Sequence, residues 1–238
     1  MYQDPIDSLV TSKTDVAAQS AFMTQVYGWM TLALSVTGLA AYYTANTPWL
    51  MQAIFGSKIA FYGLIIGTFL LVGWLVLAIR KMSPVTATMV FLGYSLLNGL
   101  LFGSIFMAYT ESSIALTFFI TAGTFAAMSI YGYTTKADLS RIGNIAVMAL
   151  IGIVIASLVN MFMQNETLYW IISYVGVAVF VALIAYDTQK IKNIGIHGFD
   201  ESGGLVAEKK ASIIGALTLY LDFINLFLFL LRLFGRRD

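Results

Sequence analysis

The sequence predicts an all-α integral membrane protein built as a seven-transmembrane-helix bundle, and three observations carry that expectation. Hydrophobic residues make up 59% of the 238-residue chain and charged residues only 11%, against the roughly 25% charged of an ordinary soluble domain. The apolar residues gather in stretches near the roughly 20 residues that cross a hydrocarbon core. Those stretches are continuous: "FYGLIIGTFLLVGWLVLAI" over 61–79 lacks the alternation of a membrane β-barrel strand. Lipid offers backbone groups no water, so such segments satisfy their hydrogen bonds internally as helices.

Taken in order, residues 1–20 form a polar N-terminal segment without the basic region of a cleaved signal, expected to be mobile or to lie on the surface. Residues 21–238 form the membrane domain. Its apolar stretches run over 22–43, 60–79, 85–109, 113–133, 143–163, 168–186 and 211–234, six clear spans and a seventh candidate in the last. Tyr42, Tyr43, Trp49, Tyr131, Tyr133, Tyr169 and Trp170 lie near stretch ends, where an aromatic ring and its polar handle are both accommodated.

Basic residues set an orientation. Arg80 and Lys81, then Lys136 and Arg141, then Lys190, Lys192, Lys209 and Lys210 fall in alternate loops, which the positive-inside tendency places in the cytoplasm together with the N-terminus. The intervening loops hold little beyond Lys58, Glu111 and Glu166. Arg232, Arg236 and Arg237 then conflict with a full crossing by 211–234. Either that segment re-enters, or it crosses and its short basic end is an exception; its 24 residues are long enough to cross.

Polar residues inside the spans are the candidates for function. Gly215, Thr218, Asp222 and Asn225 share one face of the last segment at helical spacing. The preceding span ends in "VALIAYDTQKIK", which puts Asp187 at its cytoplasmic edge, and "LVLAIRKMSP" puts Arg80 near the same membrane face. Thr24, Gly28, Thr31 and Ser35, and Asn98 with Gly99 and Gly103, suit close helix approach and interhelical hydrogen bonds. Arg80 and Asp187 taken singly read as interfacial side chains, whereas Asp222 does not. A charge near mid-membrane costs at least about 2.5–3.5 kcal/mol, so a functional role is the default for it. Asp222 is either neutralised by its own proton or shares one with Asp187, the other acidic residue in or beside a span.

Other classes are excluded or weakened. The chain has no cysteine, hence no disulfide or thiolate metal site, and its one histidine, His197, sits in a polar loop too irregular for a phosphate cradle. A net charge of +1 gives no reason to expect a nucleic-acid partner. No HExxH pair or nucleophile with a base is present, so an enzyme is not expected.

Three stretches, "YGYTTKADLSRIG" (131–143), "AYDTQKI" (185–191) and "ALTLYLDFINLFLFLLRLFG" (216–235), give the chain a resemblance to the Bax inhibitor-1 family, the transmembrane Bax inhibitor motif proteins, in its bacterial branch. The resemblance covers the chain from about residue 20 onward. It implies seven helices with the last one central, in the inner (plasma) membrane. It also implies that Asp187 and Asp222 form a pH-sensing pair governing a calcium leak, and that Arg80 is a latch onto Asp187 in the closed form. Some bacterial members are linked instead with a membrane-bound AAA protease. Two departures are visible: the loop "NIGIHGFDESGGLVAEKK" is longer than expected of some relatives, and the tail "LFGRRD" lacks the basic extension of animal members.

The leading functional expectation is a pH-sensitive, calcium-permeable leak channel gated by the pair, with Thr218, Asn225 and Asn98 as pore or polar-network residues. Calcium is its permeant ion and, weakly, the ligand of Asp187 and Asp222; no tightly bound cofactor is expected, since two carboxylates fall short of the six to eight oxygens of a firm site. The alternatives are a non-transporting regulator that binds a membrane protease or other membrane partner, and a proton-coupled transporter.

Overall fold

A computed structural model describes the main chain of residues 5–197 and 204–236, and side chains over 17–195 and 204–236. The long helix α1 (Pro5–Ala45) is followed by the short α2 (Pro48–Phe55), then α3 (Lys58–Ala78) and α4 (Pro84–Phe102). After a break at Gly103 the single turn α5 (Ile105–Ala108) continues the path of α4. The chain then forms α6 (Glu111–Thr134), α7 (Ser140–Met163), α8 (Glu166–His197) and α9 (Gly204–Phe234). Side-chain caps start several of these: Ser57, Ser83 and Thr110 each accept from a main-chain N–H three residues on, and Pro84 occupies the first turn of α4, where its missing donor costs nothing.

Among the described residues six helices are long and apolar enough to cross a membrane: Lys58–Ala78, Pro84–Ala108, Glu111–Thr134, Ser140–Met163, Glu166–Gly195 and Gly204–Phe234. The expected seven-transmembrane-helix bundle is thereby corrected, and the stretch that drops out is the first, 22–43. It is helical, as part of α1, but Thr24, Gln25, Tyr27, Thr31, Ser35 and Thr37 dilute its apolar character. Its polar hydroxyls bond back along the helix, Thr24 to the Ser20 carbonyl and Ser35 to the Thr31 carbonyl, both at 2.8 Å. The opposite face of α1, Phe22, Val26, Met30 and Ala33, is buried against α4, α8 and α9.

The last segment, whose crossing the basic tail put in question, is one of the six and the most enclosed of them. In α9, 67% of the apolar window is buried, against 11% in α3 and in α7. It touches α1, α4, α6 and α8. Its ends lie at opposite ends of the bundle. Near its start the Lys210 ammonium donates to the Arg80 carbonyl at 3.0 Å; at its finish the Arg236 carbonyl accepts from the Thr110 N–H at 3.1 Å and the Arg236 N–H donates to the Ser113 hydroxyl at 2.9 Å. At about 1.5 Å per residue its 31 residues span about 46 Å, more than the hydrocarbon core of a bilayer. The segment therefore does not double back. The long polar loop is largely absorbed by helix, since α8 runs on to His197 and α9 begins at Gly204; the His197 side chain and residues 198–203 lie outside the described residues.

A polar junction fastens α1, α4 and α9 near mid-bundle. Thr37 bonds the Tyr220 hydroxyl at 2.8 Å and reaches the carbonyls of Ser95 and Ala33 at 2.9 and 3.0 Å. The fully buried Tyr220 ring meets Phe91 and Tyr94 edge-on, at 5.7 and 5.9 Å between centroids. Close approach of α1 and α4 depends on Gly99, where an added Cβ would lie 2.5 Å from Ala40 Cβ and 2.6 Å from the Thr37 carbonyl oxygen. Gly123, by contrast, has open space around it. Gly99→Ala is therefore expected to destabilise by about 2 kcal/mol through overpacking, whereas Gly123→Ala leaves stability unchanged or raises it by up to about 1 kcal/mol through helix propensity. Thermal unfolding in detergent measures both; equal melting of the two variants would contradict this packing.

Candidate functional site

Asp222 points from the central helix into the bundle. Its residue is only 5% exposed, and its Oδ2 is buried without a hydrogen-bond partner among the described residues. The half-buried Asp187 of α8 is the acidic neighbour of Asp222, near enough that each carboxyl acts on the other. Lys190, one turn further along α8, is the cation whose charge acts on Asp187, and its ammonium also lies 5.8 Å from the centre of the Tyr186 ring. Beside Asp187 opens a cavity of about 390 Å³ lined by Asp187, Lys190, Arg80, Lys210, Gly215 and Thr218 together with apolar residues next to α3, in α8 and in α9.

The position of Asp187 is set by a clamp around the "AYDTQ" stretch. Gly132 of α6 lies so close to Ala185 that a Cβ there would overlap the α8 main chain, and Gly143 of α7 lies against the face of the Tyr186 ring. Gln189 closes the clamp: its amide donates to the Ala137 carbonyl at 2.8 Å, and its carbonyl oxygen accepts from the Leu139 N–H at 2.9 Å. Lys192 adds a hydrogen bond of 2.8 Å to the Tyr133 carbonyl, with its ammonium 5.1 Å from that ring's centre. Thr188 faces Ser129 at 3.4 Å. In the connecting loop, hydrogen bonds from Ser140 hold the exposed Asp138 carboxyl below the usual carboxylate range. The residues flanking Asp187 thus tie α8 to α6 and α7 on both sides.

The polar residues read from sequence divide into separate places. Thr218 lines the cavity beside Asp187, with its hydroxyl bonded to the Ile214 carbonyl at 3.1 Å. Asn225 bonds its own helix through the Leu221 carbonyl at 2.8 Å. Asn98 is buried, donates to the Tyr94 carbonyl at 3.3 Å and lies within reach of the Tyr94 and Tyr220 hydroxyls, so it belongs to the mid-bundle junction. Arg80 is exposed at the end of α3 and shares the cavity with Asp187. Sequence reading missed Tyr220 and Thr37, which look like ordinary interior residues until the fold joins them across three helices. It also missed the positioning roles of Gly132, Gly143 and Gln189, for which the dense small and polar residues around "YGY" and "YDTQ" were a usable signal. Among the described residues no three acidic or histidine side chains gather in one place.

The sequence pattern of the family described as "Inhibitor of apoptosis-promoting Bax1" matches residues 19–238. The chain is 53% identical over 233 residues to the "Inner membrane protein YbhL" of Escherichia coli strain K12, covering 97% of each. It is 42% identical over 229 residues to a protein of Borreliella burgdorferi, covering 96% of this chain and 97% of that one. It is also 41% identical over 241 residues to a protein of Rickettsia prowazekii, covering 99% and 98%. The chain belongs to the Bax inhibitor-1 family, in its bacterial branch, and is a multi-pass inner-membrane protein.

The clamp makes a graded prediction. Gly132→Ala drives a methyl into main chain that cannot move aside, and is expected to cost about 3 kcal/mol; Gly143→Ala meets a ring that can rotate, and costs about 1 kcal/mol. Denaturant or thermal unfolding in detergent reads the order, and a more damaging Gly143→Ala would refute the assigned contacts.

Proposed function

We propose that the chain is a pH-sensitive leak for calcium, with Asp187 and Asp222 as its gate. The observation that carries this reading is the pairing of two neighbouring carboxyl side chains, one from α8 and one from the central α9, with the α8 carboxyl lining a cavity at one end of a membrane bundle. An intramembrane carboxylate is costly and by default functional. Two that share a proton titrate as one unit, so a small change in pH switches the charge of the pair. Carboxylate oxygens suit a hard cation, and two of them bind it weakly enough to let it leave.

In this reading Arg80 is the latch. It already lines the cavity, at the end of the peripheral helix α3, and its planar guanidinium can reach an ionised Asp187 with charge-assisted hydrogen bonds. Ionised Asp187 draws Arg80 across the mouth and closes it. Protonation of Asp187 as pH falls removes the attraction and releases the latch. Leakage therefore rises toward acid. Thr218 adds a polar group to the cavity wall that Asp187 shares.

A second reading is favoured by one observation. Arg80, Lys190 and Lys210 place three cations around the mouth against one carboxylate, an arrangement that opposes admission of a divalent cation. It suits a regulator that transports nothing and acts through a membrane partner, such as an AAA protease.

Calcium flux into proteoliposomes separates the two. Between about pH 5 and about pH 8 the parent's flux is expected to change several-fold, Asp187→Asn and Asp222→Asn to vary by less than about twofold, and Arg80→Gln to leak at the alkaline end. No flux from the parent, or an unaltered pH profile in both aspartate variants, would end the channel reading.

A further inference from the structure

The bundle has a second large recess, at the end remote from the aspartate pair. It holds about 770 Å³ where the close of α7, the start of α8 and the last turn of α9 converge, and its polar lining includes Arg232, Glu166, Gln164 and Ser157. Nothing in the proposed gate uses it. We propose that this recess binds the head group of a phospholipid, with the phosphate on Arg232 and an ammonium, as in phosphatidylethanolamine, toward Glu166.

Arg232 is the first argument. Its guanidinium sits 5.7 Å from the centre of the Tyr169 ring and 5.3 Å from that of Phe229, an aromatic pairing that orients its planar fork. Among the described residues no hydrogen bond or ion pair occupies its N–H groups, although Glu166 lines the same recess. A cation and an anion that face one cavity without neutralising each other match a ligand carrying both charges at a short separation. Two arginine donors directed at one phosphate form the charge-assisted, bidentate contact for which this side chain is suited.

The wall is rigid. Gln164 takes the left-handed conformation, with φ of 50°, and lets α7 turn directly into α8. Within that turn the Asn160 side chain accepts from the Asn165 N–H, and the Asn165 side chain accepts from the Leu168 N–H, both at 2.9 Å. The polar groups of the recess are thus held before any ligand arrives.

The surroundings choose a lipid over a soluble zwitterion. Met161 and Trp170 line the recess and open onto apolar surface, with Met161 62% exposed beside Phe162 and Ile171. These residues belong to helices that cross the membrane, so that surface meets acyl chains. Trp170 and Tyr169 sit at a helix start, the level at which aromatic side chains meet head groups. A head group in the recess leaves its glycerol and acyl chains continuous with the bilayer. With the basic loops in the cytoplasm, the lipid comes from the opposite leaflet.

The test uses the full-length, delipidated protein in detergent, titrated with short-chain phosphatidylethanolamine and followed by native mass spectrometry. Arg232→Gln, at an exposed position, is expected to weaken binding about tenfold. Arg232→Lys, which keeps the charge and loses the fork, falls between it and the parent. Glu166→Gln weakens phosphatidylethanolamine but not phosphatidylglycerol, and Lys136→Gln, exposed in the loop between α6 and α7 at the other end, leaves lipid binding unchanged. Undiminished binding by Arg232→Gln would overturn the site. Full displacement of the lipid by equimolar soluble phosphoethanolamine would show that the recess reads the free head group, and would overturn the assignment to lipid.

Discussion

A carboxylate on a membrane-spanning helix must be kept from lipid, and the arrangement of this bundle follows from that constraint. Asp222 lies on the same face of α9 as Gly215 and Thr218, so turning one of them to lipid would expose the others. Surrounding α9 with α1, α4, α6 and α8 resolves the conflict by leaving it no lipid-facing side along most of its length. The helices that remain at the rim, α3 and α7, carry long, plain apolar sequences and almost no buried surface. The division between central and peripheral helices is therefore a division by what each sequence can tolerate beside hydrocarbon.

In lipid the association of helices gains little from the hydrophobic effect, since acyl chains are as apolar as leucine. Close backbone approach and interhelical hydrogen bonds do the work, and they are placed where the site needs to be stiff. Gly132 and Gly143 let α6 and α7 press on the residues just before Asp187, while Gln189 ties down the chain just after it. On the other side of α9, Gly99 brings α4 onto α1, and Thr37 links both to Tyr220. Asp222 lies less than one turn beyond Tyr220, so the junction and the clamp fix the two aspartates from opposite flanks. Only the cavity side of the pair is left without such a brace.

Much of this was legible in the sequence because continuous apolar length is a strong signal and an intramembrane charge is a rare one. The spans from residue 58 onward follow directly from it, and Asp222 stands out for the same reason, with Asp187 drawn in as the other acidic residue in or beside a span. The first stretch misled: length alone suggested a crossing, yet the threonines, Gln25 and Tyr27 spread through 22–43 reduce its apolar character while remaining compatible with a helix buried on one face. The fate of the last segment was obscured by Arg232 and Arg236, since charge counting treats a basic residue as a topological marker wherever it falls. Tyr220 and Thr37 left no mark, because a polar contact between three helices distant in sequence has no local pattern.

The two ends of α9 carry opposite problems and solve them differently. At its start, Lys210 and the nearby Arg80 and Lys190 surround a cavity whose floor is acidic, so positive charge at the mouth opposes the very cation that the floor would attract. Rapid conduction would call for acidic residues at the mouth to concentrate the ion. A basic mouth beside an acidic group instead limits cation occupancy and places Arg80 where it can turn inward onto an ionised aspartate. At its finish, Arg232 has aromatic neighbours and lines a recess that it shares with Glu166. There the charge has no carboxylate within bonding distance among the described residues, and the phosphate layer of the membrane is the counter-charge within reach. The same helix therefore presents a carboxylate that depends on protein for its partner and a guanidinium that depends on the bilayer for its own, and anchoring the second at the head-group layer fixes the depth at which the first must sit.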